Sequence, residues 1–350
     1  MTTPNRWIGA CRTSSITMVM DRLRSVFASW MYTEVSPSLL EAPDGEGRSA
    51  LLIPADRAPT REGNTQLRSD FTAAIARSIA LSERGTPRPV RRSYAGTVFR
   101  RSPRSDSLTE VRQAGVELVG APSPAADAEI LCLAAEGLDA IGATGAEIHI
   151  GHAGFVRALL RAADLPSEVE SQICNQIARH ERTALESTLT AAGVSGELMA
   201  AIVGLLDLAG NASVIRRARA LTDDPVCRAT LDELEEIFRL ADSPAVMIDL
   251  SEVRDLTYYT GIRFEAFAPG IGCPVLGAGG TTGSSACTAI PSRPWDAHSK
   301  SSRCPYSART WTPTPHRACS CASRSTVGQR RRRRPEGFER RDLESHWTRR

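Results

Sequence analysis

Apolar residues recur at helical spacing at Leu23, Val26, Phe27 and Trp30, which predicts a first amphipathic helix, and residues 32–40 after it read as extended. A second helix is predicted over 70–82, with Ala73, Ile75, Ala76 and Ile79 as its apolar positions. Asp70 or Ser69 suits its cap, because a short polar side chain there accepts from the free amides of the first turn. Alternation over 90–99 and again over 111–119 predicts two strands, and the polar stretch between them is long enough for an antiparallel hairpin with an extended tip. An Ala-rich helix follows over 124–141, then a short strand over 147–150. From about 154 to 240 the pattern is helical, broken at Pro166, Gly193, Gly196 and Pro225. Beta character returns over 246–250, 258–267 and 274–276.

Strands that come as hairpins, not in alternation with helices, predict an α+β fold: an antiparallel sheet with flanking helices and a helical insertion over 151–242. The predicted core spans 1–280. Past Gly280 the pattern collapses into Ser, Arg, Pro and Thr without period 2 or 3.6, so 281–350 is expected to be a disordered tail.

Charge sharpens that boundary. The net charge of +3 conceals 15 Lys and Arg against 5 Asp and Glu in 281–350, which leaves 28 against 35 for the first 280 residues. Lys300 is the single lysine of the chain, so the core holds neither a lysine-dependent phosphate loop nor a Schiff-base lysine. No apolar run reaches 18 residues and no basic-then-apolar leader opens the chain, which predicts a cytoplasmic protein with no membrane partner. The nine cysteines lack paired spacing and are expected as thiols. The basic tail at Arg330–Arg334 has no interleaved aromatic residues, so a nucleic-acid partner is not expected.

Three segments carry chemistry. Residues 67–72 read Leu-Arg-Ser-Asp-Phe-Thr, where Asp70 and Thr72 either hold a ligand ammonium or cap the next helix. Residues 94–100 read Tyr-Ala-Gly-Thr-Val-Phe-Arg, followed by Gln-Ala-Gly-Val-Glu over 113–117. Alternation places Gln113, Gly115 and Glu117 on one strand face, where the glycine leaves room for a ligand. Residues 253–265 read Val-Arg-Asp-Leu-Thr-Tyr-Tyr-Thr-Gly-Ile-Arg-Phe-Glu. Adjacent tyrosines in a strand point to opposite faces, so one of Tyr258 and Tyr259 is expected to touch a ligand, with Tyr259 favoured.

Together these segments resemble the class II aminoacyl-tRNA synthetase core of the histidine branch. They are most similar to the regulatory subunits of ATP phosphoribosyltransferase, notably in the Ala-Phe-Ala-Pro-Gly-Ile-Gly that follows the third segment. The resemblance implies a histidine pocket of Asp70, Thr72, Gln113, Glu117, Arg254, Tyr258 and Tyr259, with Arg100 facing a phosphate. It also implies a role in feedback inhibition of histidine biosynthesis, without catalysis, cofactor or metal. The implied partner is the short-form catalytic subunit, in a hetero-oligomer built on a homodimer. The alternative is a histidyl-tRNA synthetase or a truncated paralogue. Against it, Ser102 stands where motif 2 of that family has a glutamate, no motif 3 helix is found before Gly280, and 281–350 lacks an α/β pattern for an anticodon domain.

The resemblance stops at Gly277-Ala278-Gly279-Gly280, where the family pattern continues Arg-Tyr-Asp-Gly and this chain reads Thr281-Thr282-Gly283. Written GGC-GGT-ACG-ACG-GGC, the codons of residues 279–283 contain CGG-TAC-GAC-GGG in another frame, which encodes Arg-Tyr-Asp-Gly. In the same offset residues 292–299 can be decoded as Pro-Ala-Val-Gly-Arg-Ala-Phe, similar to the start of motif 3. A reading-frame shift is therefore one expectation for 281–350.

Overall fold

A computed structural model describes residues 13–41, 52–53, 65–82, 85–101, 108–194, 196–253, 259–281 and 284–289. The chain opens with α1 (Thr13–Ser29) and β1 (Thr33–Glu34). Three short strands, β2 (Leu40–Glu41), β3 (Leu52–Ile53) and β4 (Thr65–Leu67), form a small antiparallel sheet in the order β2-β4-β3. Then come α2 (Thr72–Ser82), the hairpin β5 (Val90–Arg101) and β6 (Leu108–Val119), α3 (Pro124–Ile141) and β7 (Glu147–His152). The insertion holds α4 (Ala153–Ala162), α5 (Ser167–Ala178), α6 (Arg182–Ala191), α7 (Gly196–Gly204), a 3₁₀ turn, β8 (Ala209–Gly210), α8 (Ser213–Arg219) and α9 (Pro225–Ala241). The chain returns through β9 (Val246–Asp249), β10 (Ile262–Phe267), β11 (Leu276–Thr281) and β12 (Ser284–Ala289).

Nine strands pair in the order β1-β5-β6-β12-β11-β10-β7-β9-β8. The neighbours are antiparallel except β1 with β5 and β7 with β9. A parallel pair needs a long crossover, and for β7 and β9 the whole insertion supplies it. One face of the sheet, carrying Ala114, Val116, Leu118, Ile148, Ile150, Ile262 and Phe264, packs with α1, α3 and the insertion helices in one continuous core. On the other face a second cluster of Phe71, Ile75, Ile79, Val90, Tyr94, Val98 and Val111 seats α2 on the β5–β6 hairpin.

Local chemistry explains the element ends. Ser123 accepts from the Ala126 amide at 3.3 Å, and Pro124 opens α3, where its missing N–H costs nothing. Gly142 closes that helix at φ 81°, which glycine adopts without a Cβ penalty. Below α3, Arg91 forks onto Glu129 at 2.7 and 2.8 Å, and the Tyr32 hydroxyl donates to the same carboxylate at 2.8 Å. One charged knot thus ties β5, α3 and the segment after α1.

Three expectations change. The strand read over 258–267 begins at Ile262, and that read over 274–276 lies at Leu276–Thr281. Within the segment read as patternless, Ser284–Ala289 form β12, paired to β6 on one side and β11 on the other. Residues 290–350 lie outside the described residues, and so does that part of the expectation of a disordered tail. Among the described residues no helix is long and apolar enough to cross a membrane.

Candidate functional site

The face opposite the main core carries the polar groups. Residues directly opposite in an antiparallel pair share a face, so register alone assembles a row. Glu117 on β6 stands opposite Ala286, Ala286 opposite Gly279 on β11, and Gly279 opposite Arg263 on β10. Two residues along, Gly115 leads through Thr288 to Gly277 and Glu265. Glycines at 115, 277 and 279 carry no side chain on this face, which makes it a shallow trough: it is open over Gly277 and covered over Gly279 by Tyr259. Two strand spacings, about 10 Å, separate Glu117 from Gly279.

At one wall, the Thr72 hydroxyl donates to Glu117 at 2.6 Å. Glu117 is buried, and burial pushes its carboxyl up to about 8; the bond from Thr72 works against that rise, and nearby Asp70 adds to it. Gln113 is buried on the same face, its amide 3.4 Å from the Tyr94 hydroxyl, and its side-chain oxygen has no hydrogen-bond partner among the described residues. Tyr94 is held in turn by stacking on Phe71, with ring centroids 4.3 Å apart. The two readings of Asp70 and Thr72 divide. Asp70 accepts from the Ala73 amide at 3.1 Å, as a helix cap does, whereas Thr72 turns to Glu117. Arg100 donates to the Ser69 carbonyl at 3.1 Å, tying β5 to the turn that carries Asp70.

At the other wall, Tyr259 precedes β10 and its ring lies against the backbone of Gly279, where an added Cβ would overlap it. Tyr259 does not follow the face alternation of strand residues, because it precedes β10 and is not paired as a strand. Arg254 and Tyr258 lie outside the described residues. Beyond Tyr259, Arg263 pairs with Glu252 and, at 2.8 Å, with Glu265, all three buried; its guanidinium carbon is 5.8 Å from the Tyr259 ring centroid. Arg263 and Glu265 belong to the third segment, whose pattern assigned them no role. Their signal was two charges at period 2 in an otherwise apolar strand.

The structure thus gathers Thr72, Glu117, Gln113 and Asp70 at one side of a small-residue trough and Tyr259 at the other. Its fold is the class II synthetase type. A structure described as an ATP phosphoribosyltransferase regulatory subunit/histidyl-tRNA synthetase from Bacillus halodurans superposes with a TM-score of 0.73 at 21% identity, covering 83% of each chain. The ATP phosphoribosyl transferase (HisG:HisZ) complex from Thermotoga maritima matches with a TM-score of 0.62 at 18% identity, over 79% of this chain and 98% of that one. The family model for histidyl-tRNA synthetase matches residues 11–281. Curated relatives include the ATP phosphoribosyltransferase regulatory subunits of Symbiobacterium thermophilum, 37% identical over 74% of this chain, and Geobacter sulfurreducens, 32% identical over 77%. The chain belongs to this histidyl-tRNA-synthetase-like family of ATP phosphoribosyltransferase regulatory subunits. The matched region spans 67% and 64% of the length of those two relatives.

Proposed function

We propose that the chain is a regulatory subunit of ATP phosphoribosyltransferase that binds free histidine in the trough and performs no chemistry itself. The observation that carries this reading is the Thr72–Glu117 pair, a hydroxyl and a buried carboxyl 2.6 Å apart, on the sheet face that also carries Tyr259 over Gly279. Histidine matches that set of groups. Asp70 and Thr72 offer oxygens to its ammonium, Glu117 meets an imidazole nitrogen, the oxygen of Gln113 accepts a further N–H, and Tyr259 covers the ring. The family resemblance adds Arg254 and Tyr258 to the lining and Arg100 beside a phosphate.

The partner in this reading is the short-form catalytic subunit, in a cytoplasmic hetero-oligomer built on a homodimer of this chain. The names of the relatives and the Thermotoga maritima complex support that choice. Histidine can inhibit only by binding one assembled state better than another, so the trough must differ between active and inhibited complexes. The test mixes the chain with a short-form catalytic subunit. Phosphoribosyl transfer that depends on the chain and is suppressed by histidine is the expected result. Formation of histidyl-tRNA by the isolated chain would overturn the reading in favour of a synthetase.

A further inference from the structure

The segment that carries Tyr259 is held from two sides. From the sheet, the amides of Thr260 and Gly261 both donate to the Gly280 carbonyl, at 3.0 and 3.2 Å. From the insertion, the Ala153 amide donates to the Gly261 carbonyl at 3.0 Å, and the guanidinium of Arg157 donates to the Tyr259 carbonyl at 2.7 Å. Both insertion groups belong to α4. That helix follows β7 without a loop: His152 ends the strand, and its Nδ1 accepts from the Gly154 amide at 3.0 Å. Helix α4 and its N-cap are fastened in turn to α9, through His152 beside Glu233 at 3.5 Å and the Cys227 thiol on the Phe155 carbonyl at 3.8 Å.

We infer that Arg157 is a positioning residue: it sets where Tyr259 stands over Gly279 and thereby couples the helical insertion to the trough. Arg157 takes the backbone carbonyl of Tyr259 and leaves the ring to the ligand side. A displacement of α4 with α9 therefore moves the tyrosine without requiring any insertion residue to touch ligand. This rests on the trough being the histidine site, and it names the element through which occupancy is felt elsewhere.

The test uses the full chain with Arg157→Met, which keeps the stem and removes the donors, and Arg157→Lys, which restores one donor. Hydrogen exchange is read first, without ligand. The amides of Thr260 and Gly261 should exchange roughly tenfold faster in Arg157→Met, the factor that about one hydrogen bond supplies. The amide of Ile177 in α5 should stay at its parent rate, which shows the fold intact, and Arg157→Lys should recover most of the protection. Unchanged exchange at Thr260 and Gly261 would overturn the inference whether or not histidine binds. Histidine titration is read second, in a double-mutant cycle with Tyr259→Ala. Arg157→Met should weaken binding about tenfold in the parent and add nothing in the Tyr259→Ala background. Equal losses in both backgrounds would show that Arg157 does not act through Tyr259. Absence of histidine binding by the folded parent would defeat the proposed function, and the exchange rates would still decide the role of Arg157.

Discussion

The behaviour of the trough turns on one carboxyl. Because burial raises Glu117 to about 8, the folded, empty protein favours its protonated form. That contribution is fully present in acid and is lost as pH rises from the ordinary glutamate range through 8. The unliganded chain should therefore lose on the order of 2–4 kcal/mol of stability across that window on account of this group. Urea unfolding at several pH values checks it, and Glu117→Gln should flatten the slope. The same carboxyl dictates how histidine binds. Near pH 7 the carboxyl is neutral and so is free imidazole, and the proton they share in the complex needs no exchange with solvent. Above about 8 a proton must be taken up, and below the imidazole range of about 6.5 one must be released. Affinity measured by calorimetry should peak between those limits and fall up to about tenfold per pH unit outside them; a flat profile would count against Glu117 meeting the imidazole. Glu117→Ala should cost about 1.5–3 kcal/mol of binding. At this scale the sequence was legible where alternation fixes a face, as for Gln113 and Glu117. It was less so where a side chain chooses among partners. Nothing in Asp-Phe-Thr announces that Asp70 serves its own helix while Thr72 reaches 45 residues ahead to Glu117.

Elements were legible in proportion to the length of their pattern. The β5–β6 hairpin was read over 90–99 and 111–119 and pairs from Val90 with Val119 to Arg101 with Leu108, twelve residues on each strand, so its existence and partner follow from sequence alone. Strand β10 was read four residues too early because Thr-Tyr-Tyr-Thr has strong β propensity. Tertiary bonds won there: Tyr259 gives its carbonyl to Arg157 and Thr260 its amide to Gly280. The bond that joins elements across the other face, Arg91 with Glu129 and Tyr32, has no periodic signature either. Removing one member of a buried pair leaves a charge without compensation. Since Arg91 is partly exposed, Glu129→Ala is expected to destabilise the fold by about 2–3 kcal/mol, and Tyr32→Phe by about 1 kcal/mol. A lowered denaturation midpoint with unchanged m-value would bear this out. A loss below about 0.5 kcal/mol for Glu129→Ala would place the knot among the neutral ion pairs.

For the whole molecule, the decisive position is the fourth place in the sheet. Strand β12 bonds to β6 and β11 and so lies inside the nine-stranded sheet, joining the part that carries Glu117 to the part that carries Tyr259. A strand in that place ordinarily reads as a run of Val, Ile and aromatic residues, yet this one reads Ser-Ser-Ala-Cys-Thr-Ala. That composition is why the strand leaves no periodic trace: without bulk or alternation there is nothing for a period-2 reading to detect, and what places it is its pairing with β6 and β11. The same composition bears on the other reading frame past Gly280, in which Arg-Tyr-Asp-Gly and then Pro-Ala-Val-Gly-Arg-Ala-Phe can be decoded. If 281–350 is the product of a frame shift, a chain continued in that frame carries a valine and a phenylalanine decoded from residues 292–299, each adding about 1.5–3 kcal/mol on full burial. Resequencing the gene around the Gly280 codon is the first check. The second compares the two proteins: the frame-restored chain is expected to melt roughly 5 °C or more above the present one and to bind histidine more tightly, because both walls of the trough hang from the strand between them. Equal melting temperatures would mean that Ser284–Ala289 closes the sheet as well as the alternative does, and the tail would then have to be regarded as the chain's own.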